Sequence, residues 1–251
     1  MIAFRFFILA FFFPLVVSAQ VLNIESQRFL NDTDGWAGQA ALDFSAQQNV
    51  NEVISFGNDV HVQYKKGKTR IIFLNDLNFS KSNGTNFVNT GYQHLRYNYK
   101  LADKPHLTWE AFVQSQYNKP MKMDLRLVTG TGPRFRLAKT EHLHLYFAAL
   151  YMFEHETDHA DNLVYDDHRL SSYVSFSWTP FKNAEIVNTL YYQPAFADFS
   201  DYRIAGDFHF TIDISKHFGF GTVFSLLQDT RQPPGIPNLS WRLGQQLSFS
   251  F

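Results

Sequence analysis

Three features of the sequence predict an all-β fold, a transmembrane antiparallel β-barrel of about twelve strands with both termini on the periplasmic side. Side chains alternate with a period of two along most of the chain. Within each segment one alternating set is apolar and aromatic while the other carries the charges. An export-type segment stands at the N-terminus. A period of two marks strands, because successive side chains leave a strand on opposite faces.

The opening residues, "MIAFRFFILAFFFPLVVSAQ", place one cation (Arg5) before an apolar run from Phe6 to Val17, then Val17-Ser18-Ala19. The run is too short to span a bilayer and has the size of a secretory signal. Residues 1–19 are therefore expected to be a signal peptide, 20–34 a short periplasmic segment and 35–251 the barrel. The 22 basic and 23 acidic residues nearly balance, so there is no electrostatic case for nucleic acid. Cysteine is absent, and 17% of residues are aromatic, more than a soluble enzyme surface uses. No cofactor is implied.

The strands are expected at approximately 36–46, 53–65, 69–79, 87–99, 107–117, 124–137, 143–154, 168–179, 184–196, 202–214, 218–227 and 239–251. In "LTWEAFVQSQY", Leu107, Trp109, Ala111 and Val113 share a face against Thr108, Glu110, Phe112 and Gln114. In "HLHLYFAALYMFE", Leu143, Leu145, Phe147 and Tyr151 oppose His144, Tyr146, Ala148 and Glu154. Compact connections ("KKGK", "LADKPH", "AKTEH", "TPFKN", "SKHFG") alternate with longer polar ones ("SKSNGTN", 155–168, "QDTRQPPGIPN"). Short periplasmic turns and long outward loops are the pattern of outer-membrane barrels.

The charged set decides which face meets lipid. Arginine at a bilayer midplane costs about 2–4 kcal/mol, so the charges must line the lumen. The lumen-lining candidates are Arg96, Glu110, Arg126, Arg134, Arg136, His144, Arg169, Arg203, Asp207 and Arg242. A turn centred near Asp103 sets Arg96 opposite Glu110, Tyr97 opposite Trp109 and Leu95 opposite Ala111. A turn centred near Thr140 sets Arg126 opposite Glu154 and Arg136 opposite His144. Two readings of this lumen stand side by side: a ladder of ion pairs filling a narrow barrel, or a polar conduit for small charged solutes. Trp36, Trp109 and Trp178 beside periplasmic turns or termini, and Trp241 at the other end, are the expected interface girdles. The alternation of Leu247, Phe249 and Phe251 toward a C-terminal Phe resembles the signal that outer-membrane barrels present to the barrel assembly machinery, an expected partner.

Residues 155–159 read "HETDH", the letters of a zinc-protease motif. That motif works on a helix, where the two histidines share a face. Here it is expected in the longest outward loop, and two ligands do not hold a catalytic zinc. His155, Asp158 and His159 remain weak candidates for contact with a hard cation or with cation-bridged lipopolysaccharide. A lipid-hydrolysing barrel would need Ser and His together on the lipid face. By parity His61, His94, His144 and His209 face the lumen, so no enzyme is expected. The partners expected are outer-membrane lipids and lipopolysaccharide.

Three stretches carry a family resemblance: "NIESQRFLNDTDGWAGQAALDFS", the run from "HLRYNYK" through "DLRLVTGTGPRFRL" to "YMFE", and "SWTPFKNAEIVNTLYYQP". They resemble the "domain of unknown function 481" family, whose best-known members are described as salt-induced outer membrane proteins. The resemblance implies a barrel and a compartment, and no catalytic residues. One departure is "QQNVN" where the family's first hairpin turns through Gly-Asn. The function expected is a non-enzymatic outer-membrane role, as a narrow solute channel or an envelope or osmotic-stress protein. A lipid-acting barrel enzyme and a surface binder using the 154–168 loop are the alternatives.

Overall fold

A computed structural model describes residues 34–249, apart from 102, 103, 105 and 159–163. The expected signal peptide, nearly all of the 20–34 segment, His159 and Phe251 lie outside the described residues. Twelve strands follow in chain order: β1 (Gly35–Gln48), β2 (Glu52–Lys66), β3 (Thr69–Ser82), β4 (Thr85–Lys100), β5 (Leu107–Asn118), β6 (Met123–Lys139), β7 (Leu143–Asp158), β8 (Val164–Phe181), β9 (Ala184–Pro194), β10 (Tyr202–Asp213), β11 (Phe218–Asp229) and β12 (Leu239–Phe249). One 3-10 turn, Lys119–Met121, is the only helical element among the described residues. All strands join one antiparallel sheet whose spatial order repeats the chain order.

Two turns show how local chemistry closes the ladders. Asn83 and Gly84 both have positive φ (47° and 84°) between paired Ser82 and Thr85. This is the two-residue turn whose twist matches that of the flanking strands, and it needs residues that tolerate left-handed backbone. The expected long "SKSNGTN" loop thus shrinks to two residues. The first hairpin turns through three residues, 49–51, with Asn49 N–H donating to the Asn51 carbonyl at 3.1 Å. The Asn83 amide ties that turn down by donating to Asn51 Oδ1 at 2.5 Å.

The sheet curls, because its charged face makes contacts that skip strands: Tyr173 on β8 donates to Glu110 on β5 at 2.6 Å. The concave face holds the charges, and the convex face leaves Leu95, Tyr97, Val113, Leu127 and Leu190 each more than 40% exposed. Charge is inside and apolar surface outside, the reverse of the usual partition in a water-soluble protein. The concave face also has two apolar clusters, Ile72 with Leu74 and Tyr92, and Ala148 with Leu150, Tyr173, Tyr191 and Ala205. The edge strands β1 and β12 are exposed along nearly their whole length.

Candidate functional site

The interior is built in three tiers of charge, each assembled by strand alternation. The middle tier centres on Glu154 of β7. Arg126 of β6 and Arg203 of β10 both donate to its Oε1, and Arg169 Nε of β8 lies 2.5 Å from its Oε2. β10 does not border β7, so Arg203 reaches across the concavity. Arg203 also donates to Glu156 Oε2 at 2.6 Å and to Asp229 Oδ2 at 2.5 Å. All three arginines are at most 5% exposed. Burying such charges is tolerable only with this density of partners, since one uncompensated buried ion costs several kcal/mol.

The lower tier centres on Glu110, which is fully buried. Besides Tyr173, Arg96 Nη1 approaches at 3.5 Å and Arg134 Nε at 3.7 Å. The Arg134 guanidinium also sits 3.7 Å above the Tyr146 ring, a cation–π contact strengthened by dry surroundings. The upper tier ties the 230–238 loop to β8 and to the segment between β9 and β10. Arg231, in the 230–238 loop, bonds Asp167 and approaches Asp201 Oδ2 at 2.9 Å. Burial works against the Arg231 charge, but the Asp167 hydrogen bond and both carboxylates outweigh it and raise its pKa above the usual arginine value. From the same loop the Pro234 carbonyl accepts from Lys122, beside the 3-10 turn. The tiers leave small spaces: cavities of about 20 Å³ lie on two sides of Arg126, each large enough for one water-sized occupant.

Seven of the ten expected lumen residues are buried on the concave face: Arg96, Glu110, Arg126, Arg134, Arg169, Arg203 and Asp207. Arg136 and His144 share that face but are only half-buried, near a bulge between Arg136 and Ala138. Arg242 also belongs to that face, opposite Ser225, yet is exposed because it lies on edge strand β12. The expected registers are corrected by two residues. Glu110 pairs with Asn98, and Arg96 with Phe112; Trp109 faces Tyr99, and Tyr97 faces Ala111. Arg126 pairs with Glu156, and Arg136 with Tyr146. Faces survive this slip, because a shift of two residues preserves parity. The ion pairs survive as diagonal contacts.

The four tryptophans are all exposed on the convex face, as are Leu247 and Phe249. The "HETDH" stretch is corrected most. β7 runs to Asp158, so the expected loop is largely strand. A strand turns Glu156 and Asp158 into the concavity, while His155 points outward and bonds Asp166 at 2.7 Å. That geometry separates the motif's histidine from its glutamate.

Sequence parity missed two outward histidines, His155 and His168. His168 Nδ1 bonds the Tyr151 hydroxyl at 2.5 Å and stacks in an aromatic group with Tyr151 and Phe153, which Phe196 extends from Tyr151. The outward Ser172 hydroxyl donates to the Tyr192 carbonyl at 3.0 Å. Also missed were Asp201 and Arg231, whose segments have no period to read. Glu156 was legible: it continues the Glu154 alternation by two.

Fold and interior together define an up-and-down antiparallel β protein with a charged inside and an apolar outside. Residues 43–251 match the family described as "Protein of unknown function, DUF481", and the chain belongs to that family. A solved structure described as the NanC porin in a rhombohedral crystal form is similar over 84% of this chain and 100% of that chain, at 11% identity and a TM-score of 0.45. No curated protein matches the chain.

Proposed function

We propose that the chain is a closed β-barrel of the bacterial outer membrane, exported by residues 1–19, with both termini in the periplasm. Its role is non-enzymatic: a structural envelope protein whose lumen is plugged by ion pairs. The observation that carries this reading is the inverted partition, with apolar residues exposed outside and guanidinium–carboxylate clusters buried inside. In hydrocarbon every backbone group needs a partner, so β1 and β12 close against each other. Neither Asp43 nor Arg242 has an ion-pair partner among the described residues. Both belong to the concave face of an edge strand, and a register setting them opposite one another closes the ring. The same register sets Phe44 against Trp241, Leu42 against Leu243 and Trp36 against Phe249 on the lipid side.

The plug, rather than the conduit, fits the way Arg126, Arg169 and Arg203 are committed to Glu154, with Arg231 tied to Asp167 and Asp201. A non-enzymatic role fits the outward histidines, which bond Asp166 and Tyr151 rather than a serine. In planar bilayers the purified protein is expected to give no steady open-channel current. Regular ion-selective steps from the unmodified chain would overturn the plug and favour a passage for small solutes.

A further inference from the structure

The cavity below Arg126 differs from its surroundings in charge. Two guanidiniums line it, Arg96 and Arg126, at 2% and 3% exposure, and no carboxylate does. The carboxylates that pair with these arginines, Glu110 and Glu154, are not among its walls. Arg126 engages Glu154 through Nε, while its Nη2 is buried without a hydrogen-bond partner. A buried charged donor left in that state is unfavourable unless something occupies the space beside it. Ser171, another wall, accepts from Gln193 Nε2 at 3.1 Å and so keeps its own hydroxyl proton to donate. Phe112, Val128 and Leu150 form apolar parts of the wall, and Gln114 and Gln193 add polar ones. At about 20 Å³ the space is sized for one small occupant.

We infer that this cavity is a binding site for a single monatomic anion of the halide class, held by Arg126 Nη2 and the Ser171 hydroxyl, with Arg96 supplying further positive field. The anion supplies the acceptor that Glu154, shared among three arginines, cannot. It locks the middle tier to the lower one. The site depends on interior packing alone, so its loss would leave the membrane reading intact, and a bilayer current would not bear on it.

Bromide is the probe. Crystals of the full chain grown in bromide are expected to show one anomalous peak between Arg126 and Ser171. A water-like density there without anomalous signal, or an empty cavity, would overturn the site. In detergent, replacing chloride by gluconate at matched ionic strength is expected to lower the thermal unfolding midpoint by a few degrees. Ser171→Val fills the cavity without touching the Arg126–Glu154 pair, and in that variant the two salts should give the same midpoint. An unmodified chain indifferent to the exchange would contradict the proposal, as would a Ser171→Val protein that kept the full chloride effect.

Discussion

Replacing Glu154 with glutamine leaves Arg126, Arg169 and Arg203 facing one another around a neutral amide. Breaking a buried pair by removing one partner costs about 3–5 kcal/mol, because the remaining charge stays buried. Glu154→Gln is therefore expected to lower unfolding stability by that amount, measured by urea titration in detergent. A loss below about 1 kcal/mol would mean that water or rearranged side chains already screen the cluster. Much of this site was legible in the sequence. Alternation alone put Arg96, Arg126, Arg134, Arg169 and Arg203 on the inner face, because charge is the strongest marker of which side avoids hydrocarbon. Asp201 and Arg231 escaped, since a loop residue carries no parity and its reach depends on how the loop folds back.

At the scale of strands, parity fixes the face but not the register. A slip of two residues keeps every side chain on its side, so "LRYNYK" against "LTWEAF" reads equally well with Arg96 or Asn98 opposite Glu110. Backbone proximity settles what pattern leaves open. At Gly132 an added Cβ would lie 2.6 Å from the Ala149 carbonyl oxygen and 2.7 Å from Leu150 Cα, both main-chain atoms that a rotamer change cannot move. β6 thus approaches β7 at a spot where only glycine fits. Gly132→Ala is expected to destabilise by about 1–3 kcal/mol. Gly244→Ala, whose nearest neighbour would be 3.9 Å away, should be nearly neutral by the same urea titration. Equal losses at the two positions would show that main-chain crowding is not the cause. The strand count was legible throughout. The lengths of β7 and β8 were not, because a polar strand above the apolar belt has the composition of a loop.

For the whole molecule, the proposed closure turns on whether the two edges meet. The chain has no cysteine, so a pair introduced at Asp43 and Arg242 reports on that meeting without background. Under oxidation the double variant Asp43→Cys, Arg242→Cys is expected to form an intrachain disulfide, seen as a mobility change on non-reducing gels. Covalent dimers would mean instead that each edge pairs with another copy, and free thiols that the edges stay apart. Everywhere else the sheet joins each strand to the strands that precede and follow it in the polypeptide. Growth can therefore proceed hairpin by hairpin in the order of synthesis, with little loop-closure entropy at each addition. On the proposed closure, only the final union would bring the two far ends of the chain together, so the slow step of assembly would fall there, and a chaperone that shields one bare margin until the other arrives would suffice.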